Sequence, residues 1–214
     1  MIASDHITTT LRNQPATVGI LLFSGVEVLD FAGPFEVFSV ASRIAPHYGK
    51  FEQPPFSVIT VAATRNSTVA RHGLRVTPDH DYSDCPALDI LIVPGGIVDE
   101  PMRNPATLDW LRRQTRQSTM TASVCTGAFL LAQIGLLKGR TATTHWEDIP
   151  ELRRMFPDTE VIEGVPYVDE GAIITSAGIS AGIDMSLHLV RRIIGPEIAS
   201  KTAHQMQYHW NPEQ

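Results

Sequence analysis

The sequence has little cysteine, no excess of basic residues and no long apolar run. Two cysteines, Cys85 and Cys125, are too few for a disulfide framework, and no Cys-x-x-Cys or His-x-x-x-His spacing predicts a metal site. The 17 Lys and Arg residues are scattered and stand against 23 Asp and Glu residues, so we expect no nucleic-acid partner. No run approaches about eighteen consecutive apolar residues, which argues against a membrane-spanning helix and predicts no membrane partner.

The composition is that of a globular protein. The 214 residues are 43% hydrophobic and 19% charged, enough apolar material for one well-packed domain. Residues 1–16 are polar and rich in threonine, without the apolar core of a signal peptide. We therefore expect a flexible N-terminal segment over 1–16, a single domain over 17–214, and a reducing, cytoplasmic environment.

Short apolar runs alternate with helical patterns along the chain. Strands are predicted over 18–23, 56–62, 89–93, 119–124 and 140–144, with a small hairpin over 69–76 and paired strands over 165–168 and 172–175. Helices are predicted over 35–45, 105–117, 127–134, 146–156 and 181–194, the last being the longest, and one more after Pro196. This alternation indicates an α/β fold, namely a single-domain, doubly wound, mostly parallel sheet flanked by helices, of the flavodoxin-like type. Such sheets bind ligands beyond the carboxyl ends of their strands.

Cys125 stands between a β-rich run and a helical run, in the segment Thr121-Ala-Ser-Val-Cys125-Thr-Gly-Ala128. A residue at such a corner lies at the carboxyl edge of the sheet, beside free backbone N–H groups at the start of the helix. Those groups favour the thiolate, so we predict a lowered thiol pKa and a nucleophilic role. The alternative is a buried structural thiol, while Cys85 lies in a loop and is interpreted as a bystander.

Several short motifs follow one another from Val18 to the C-terminus. They are Gly19–Phe23 with Leu29-Asp-Phe-Ala-Gly-Pro34, then Ile92-Val-Pro-Gly-Gly96, Ser123-Val-Cys-Thr-Gly127, Thr143-Thr-His-Trp146 and Ala177-Gly-Ile-Ser-Ala-Gly-Ile-Asp184. In this order they resemble the DJ-1/PfpI superfamily, and within it the isocyanide hydratases. The amidotransferase-like sensor domains of AraC-type regulators share the same strings. The sequence ends at Gln214 without the helix-turn-helix region of those regulators, which favours a stand-alone enzyme.

The resemblance assigns Asp30 as the acidic partner of the cysteine. Its neighbours are apolar, so its carboxyl should be desolvated, with a raised pKa that suits proton transfer near neutrality. An aspartate at the start of a helix can also serve as its N-cap, and both roles can hold together. Glu27, three residues earlier, is the rival carboxylate.

The resemblance also implies an oxyanion-type pocket formed by the backbone N–H groups of Gly96 and Thr126. Gly95 either belongs to that pocket or simply makes a tight turn. Peptidase-like members of the superfamily have histidine directly after the cysteine, where this sequence has Thr126, which argues against proteolysis. His145 either borders the site or is a structural imidazole. Ile179 matches a position in the substrate pocket near the cysteine of the isocyanide hydratases. An isoleucine in an apolar string is, however, ordinarily a residue of the hydrophobic core.

These assignments predict the hydration of a small-molecule isocyanide to an N-substituted formamide, with no cofactor and no metal. Cys125 would attack the isocyanide carbon, and Asp30 would transfer protons. Two alternatives stay open: another DJ-1-like enzyme, such as a glyoxalase, in which His145 should matter strongly, and a non-enzymatic thiol sensor. Family resemblance and the apolar residues Phe35 and Phe38 predict a homodimer.

Overall fold

The structure is a computed structural model that describes residues 14–49 and 51–212. Residues 1–13 of the predicted N-terminal segment lie outside this range, and Ala16, which was placed in that segment, begins the first strand. The strands are β1 (Ala16–Leu21), β2 (Phe56–Ala62), β3 (Thr68–Val69), β4 (Arg75–Val76), β5 (His80–Asp81), β6 (Ile90–Val93), β7 (Met120–Val124), β8 (Thr141–Ala142), β9 (Glu160–Val161), β10 (Tyr167–Asp169) and β11 (Ile173–Ser176). The helices are α1 (Val28–Ile44), α2 (Pro105–Gln117), α3 (Gly127–Gln133), α4 (Ile149–Met155), α5 (Ala181–Ile194) and α6 (Pro196–Gln205), with 3-10 turns at Ala45–Tyr48, Arg71–Gly73 and Trp146–Asp148.

A seven-stranded sheet in the order β10-β11-β7-β6-β1-β2-β5 forms the centre of the described part of the chain. Every pairing in it is parallel except the antiparallel β10–β11 pair at one edge. The residues of β6 and β7 are buried throughout, as expected of parallel strands covered on both faces. The predicted α/β class and mostly parallel topology are confirmed.

Local sequence accounts for the boundaries of α2. Asn104 caps this helix by accepting the backbone N–H of Ala106 at 3.0 Å, and Pro105 occupies the first helical position, where its missing N–H costs nothing. Leu108 and Leu111 are buried at helical spacing on the face of α2 that packs on the core. The predicted ranges 56–62, 105–117 and 181–194 coincide with β2, α2 and α5.

Several predicted elements differ from the structure. The helix predicted over 35–45 begins seven residues earlier, at Val28, and α1 with 17 residues is longer than α5 with 14. Pro34, which directly precedes the predicted helix, lies inside α1. The strand predicted over 140–144 is limited to the two residues of β8, which pairs with β9 outside the main sheet. The range 146–156 is divided into a 3-10 turn and α4.

The topology brings three chain segments to one edge of the sheet. β6 and β7 are neighbours, with Val93 opposite Ser123, so the turn at Gly95 and Gly96 lies beside Cys125. β1 pairs with β6 and leads through a short turn to α1, which carries Asp30 in its first turn. This edge holds the carboxyl ends of the parallel strands.

Candidate active site

Cys125 lies on a strained turn between β7 and α3. Its φ is +56°, in the left-handed region that L-residues other than glycine rarely adopt. The backbone N–H of Cys125 donates to the carbonyl oxygens of Ser176 and Ala177, both at 3.2 Å. The hydroxyl of Thr144 donates to the Cys125 carbonyl at 2.8 Å. These bonds hold the turn in place and direct the thiol to the edge of the sheet, as the prediction of a nucleophile turn requires.

Two glycines allow the turn to pack against the end of β6. A Cβ atom on Gly127 would collide with the carbonyl oxygen of Val93, and one on Gly95 would lie 2.5 Å from the backbone nitrogen of Thr126 and 3.0 Å from Oδ2 of Asp30. Gly95 is therefore required for the close approach of three segments, beyond the turn itself.

Asp30 is fully buried beside Cys125. The Gly95 N–H donates to Oδ2 of Asp30 at 3.0 Å, and the Cys125 thiol is in hydrogen-bond contact with the same carboxyl group. Among the described residues no N–H or O–H donor reaches the second oxygen, Oδ1. Burial, assisted by the negative charge of Glu27, raises the pKa of Asp30 to about 7. The predicted desolvation of this carboxyl is confirmed.

Glu27, the rival carboxylate, has a structural role. It is the N-cap of α1 and accepts the N–H of Val28 at 3.3 Å. It also forms a 3.0 Å ion pair with Arg71. The alternative in which Asp30 caps this helix is therefore wrong, since Asp30 lies within the first turn and faces the cysteine.

The thiol pKa differs from the sequence prediction. Burial and the negative charge of Asp30 together raise the pKa of Cys125 to about 12, although hydrogen bonds from the N–H groups of Thr126 and Ile179 act in the opposite direction. The expected lowering at a helix N-terminus fails because α3 has only seven residues and Cys125 is buried, at 6% exposure, beside a carboxylate. A proton acceptor is thus needed to generate the thiolate at neutral pH.

The expected oxyanion pair is arranged differently. The Gly96 N–H donates to Oγ1 of Thr126 at 2.8 Å, and the same hydroxyl donates to the Gly96 carbonyl at 3.0 Å. The Gly96 N–H is therefore already bonded, which leaves the N–H groups of Thr126 and Ile179 facing the sulfur. The Ile179 backbone, which sequence reasoning did not consider, supplies this second donor.

Ile179 lies on a second strained turn, with a φ of +52°. Its side chain is 39% exposed, so it is not a core residue as its apolar neighbours suggested. The preceding Gly178 packs directly against the ring of His145, which leaves no space for a Cβ atom.

His145 borders the site through Gly178 and makes no described hydrogen bond to Cys125. Its Nδ1 accepts the N–H of Glu147 at 3.3 Å and lies 3.5 Å from Oδ2 of Asp148. The ring therefore has a structural role as the cap of a 3-10 turn and also lies at the margin of the site.

Asp148 is a site residue that sequence reasoning missed. Its negative charge contributes to the raised pKa of Cys125, and burial raises its own pKa. It follows the Thr143–Trp146 motif, but no spacing distinguishes it from the neighbouring acidic residues. Of the aromatic residues in the sequence motifs, Trp146 is 70% exposed, whereas Phe31 is buried.

Two cavities adjoin this edge of the sheet. One, of about 480 Å³, shares Gly96 and Thr126 with the cysteine site. The other, of about 350 Å³, shares His145 and Ile179 with it. Within the described ranges no cluster of His, Cys, Asp and Glu side chains is arranged to hold a metal ion. None of the described helices is both long and apolar enough to cross a bilayer.

Comparison with known proteins gives consistent relatives. The DJ-1/PfpI family matches residues 16–192. Isonitrile hydratase from Pseudomonas putida is 33% identical over 195 residues, which cover 89% of this chain and 78% of that protein. The HTH-type transcriptional regulator CdhR from Pseudomonas aeruginosa is 33% identical over 187 residues, 86% of this chain but 53% of the regulator, so the chain spans about half of that relative.

Solved structures share the fold. A ThiJ/PfpI family protein from Pseudomonas syringae superposes with a TM-score of 0.80 at 25% identity, covering 94% of this chain and 78% of that one. An AraC family transcriptional regulator from Pseudomonas putida superposes with a TM-score of 0.77 at 19% identity, covering 90% and 100% of the two chains.

Proposed function

The chain belongs to the DJ-1/PfpI family, and from this premise we propose that it adds water to an isocyanide and releases an N-substituted formamide. The observation that carries the proposal is the buried contact between the Cys125 thiol and the Asp30 carboxyl, whose pKa is raised to about 7. A carboxyl with this pKa both accepts and donates protons at neutral pH, as general acid–base catalysis requires. The isonitrile hydratase relative has the corresponding activity in its name.

In the first half of the reaction the Cys125 sulfur becomes covalently bound to the substrate. Asp30 accepts the thiol proton, the sulfur attacks the isocyanide carbon, and Asp30 returns the proton to that carbon. A C–S and a C–H bond form, and the product is an enzyme-bound thioimidate, R–N=CH–S. The N–H groups of Thr126 and Ile179 stabilise the sulfur while it carries negative charge.

In the second half water enters and the thiol is regenerated. Asp30 accepts a proton from water as the water oxygen attacks the thioimidate carbon, and it passes this proton to the thioimidate nitrogen. The resulting R–NH–CH(OH)–S adduct collapses, the C–S bond breaks, and R–NH–CHO leaves. The hydroxyl proton returns to the sulfur through Asp30, so one water is added and both side chains are restored. In a variant of this scheme Asp30 activates water without a covalent adduct.

Three substitutions test the proposal with cyclohexyl isocyanide as substrate and formamide release as the readout. Cys125→Ala should abolish turnover, and Asp30→Asn, which preserves size but cannot transfer a proton, should lower kcat by about a hundredfold or more. His145→Ala should lower it by less than about tenfold, since no step requires an imidazole. Absence of turnover by the unmodified protein contradicts the proposal. An effect of His145→Ala as large as that of Cys125→Ala, together with consumption of methylglyoxal, favours a glyoxalase-type reaction.

A ligand sensor is the second candidate function, because regulators are among the relatives of this chain. In that case the same pocket binds a small molecule, or the thiol is oxidised, without turnover. A mass increase at Cys125 after peroxide treatment, with no turnover of either test substrate, supports the sensor.

We also propose a homodimer that acts in the cytoplasm. Phe35 is 37% exposed and Leu29 is 36% exposed at the start of α1, so both are available for a contact. Phe38, which was assigned to the same contact, is fully buried in the core and is excluded from it. Light scattering should report about twice the chain mass of 23.5 kDa, and a monomer at micromolar concentration contradicts the dimer. Both cysteines are free, which is compatible with a reducing compartment.

A further inference from the structure

The larger cavity at the sheet edge adjoins the cysteine site through two shared residues, Gly96 and Thr126. Its volume is about 480 Å³, within the range of small-molecule sites. Gly96 and Thr126 line it, and the N–H of Thr126 also faces the Cys125 sulfur. A molecule whose reacting carbon lies at the sulfur can therefore extend past Thr126 into this cavity.

The far walls of the cavity are largely apolar. Val98 and Met102 come from the segment after β6, Phe129 from α3 and Met155 from the end of α4. Methionine side chains adapt to ligands of different shape, and an aromatic ring provides a flat apolar surface. These walls suit a hydrocarbon group.

The charges around the cavity are mainly negative. Glu151 is engaged in a two-bond ion pair with Arg154 on the same helix, at 2.6 and 2.8 Å. Oδ2 of Asp148 lies 3.5 Å from Nδ1 of His145. The negative charge of Asp148 contributes to the raised pKa of Cys125. Asp99 adds a second carboxylate, and Arg103 is the cationic side chain among the described lining residues.

We propose that this cavity is the subsite for the R group of the isocyanide, that it accepts uncharged apolar groups, and that Asp148 excludes substrates bearing a carboxylate. The inference rests on the proposed function and adds the position of the substrate and the charge of its R group. Asp148 is a specificity-determining residue in this arrangement, because it combines a place in the cavity wall with an electrostatic effect at the reacting sulfur.

Filling each cavity in turn tests the position of the R group. Val98→Trp fills the larger cavity, Met155→Trp fills it from its exposed rim, and Val165→Trp fills the 350 Å³ cavity as a matched control. With cyclohexyl isocyanide, Val98→Trp and Met155→Trp should lower kcat/KM by about thirtyfold, but with methyl isocyanide by less than about threefold. Val165→Trp should not discriminate between the two substrates. Discrimination by Val165→Trp alone places the R group in the other cavity and overturns the proposal.

Two substrates of matched length, one apolar and one with a carboxylate, test whether the cavity excludes a negatively charged R group. The unmodified protein should favour pentyl isocyanide over 4-isocyanobutanoate by about tenfold or more, and Asp148→Asn should reduce this preference by about threefold or more. Glu163→Gln, which removes a carboxylate from the wall of the smaller cavity, is the control and should leave the preference unchanged. A preference unaffected by Asp148→Asn contradicts the role of Asp148.

Failure of the proposed hydratase function can be distinguished from failure of the proposed R-group subsite. In that case the unmodified protein hydrates neither methyl nor cyclohexyl isocyanide. Calorimetry then measures the binding of the unreactive N-cyclohexylformamide to the Cys125→Ala protein, so that the cavity is tested without catalysis. Val98→Trp should weaken this binding by about tenfold or more, and Val165→Trp should not. Equal binding by both variants overturns the subsite.

Discussion

The carboxylate of Asp30 raises the pKa of the Cys125 thiol, whereas the thiol donates to that carboxylate and lowers the pKa of Asp30. Above the raised pKa of Asp30, which is about 7, the two buried groups therefore hold a single negative charge between them. Because burial disfavours ionisation of either group, the proton can be transferred between sulfur and oxygen without leaving the site. This coupling is the basis of the first two predictions.

Removing the charge of Asp30 should lower the pKa of Cys125. We expect Asp30→Asn, in a Cys85→Ser background, to react with iodoacetamide at about pH 8 several times faster than the parent with Asp30. The same variant should lose hydration activity, so thiol reactivity and catalysis should change in opposite directions. Slower alkylation would show that Asp30 acts mainly as the proton acceptor of the thiol and not as a repelling charge.

Asp30 should also reduce stability at neutral and higher pH. Its pKa rises from 3.8 to about 7 on folding, so the folded state binds more protons than the unfolded state between these values. Stability is therefore lost as the pH rises through this window. Asp30→Asn should gain stability over the unmodified protein in the same window, reaching on the order of 2–4 kcal/mol at about pH 8. Urea unfolding at several pH values measures the difference, and a difference that does not depend on pH contradicts the assignment.

A methyl group at Gly95 should disable the site. Gly95→Ala places a Cβ atom 2.5 Å from Oγ1 of Thr126 and 3.0 Å from Oδ2 of Asp30. We expect a stability loss of about 1–3 kcal/mol from overpacking and a loss of activity of at least about tenfold. Gly164→Ala is a control for the added methyl group, since nothing lies within 4 Å of its Cβ position, although its φ of +78° adds backbone strain there. Full activity and unchanged stability of Gly95→Ala would show that Thr126 and Asp30 can move away from the added methyl group, and would contradict this prediction.

The edge strand β10 should be held to α5 by Asp169. Arg192 donates to both carboxylate oxygens of Asp169 at 2.8 Å, and His188 lies 2.7 Å from Oδ2. Although burial opposes it, the bond from His188 and the charge of Arg192 hold the pKa of Asp169 below its usual value. The contribution of Asp169 to the stability of the folded protein is therefore complete above the pKa of Asp169 in the unfolded chain. It is lost as the pH falls through the lower pKa of Asp169 in the folded protein. Asp169→Asn should cost about 1–2 kcal/mol in urea unfolding at neutral pH.

The exposed pair of Glu151 and Arg154 provides the comparison for Asp169. Glu151→Gln should leave the urea midpoint nearly unchanged, because exposed ion pairs contribute little. Equal effects of Glu151→Gln and Asp169→Asn would contradict the structural role assigned to Asp169.

The sequence alone determined the fold class and most elements. Alternating apolar runs specify buried parallel strands, and Asn104 with Pro105 specifies the start of α2, because these signals act over a few residues. The assignment of Cys125 and Asp30 as candidate site residues also came from the sequence, through the turn motif of Cys125 and the family resemblance. The length of α1 could not be predicted in this way, since the helix was expected only after Pro34, whereas α1 extends from Val28 through Pro34.

Only the tertiary structure decided the chemistry of the site. The raised pKa of Cys125 depends on burial and on Asp30, which is 95 residues away in the chain. The second N–H donor comes from Ile179, and the bonding of the Gly96 N–H depends on Thr126 from the adjacent strand end. Local sequence cannot encode these effects, because desolvation and charge act through space between segments that only the folded sheet brings together.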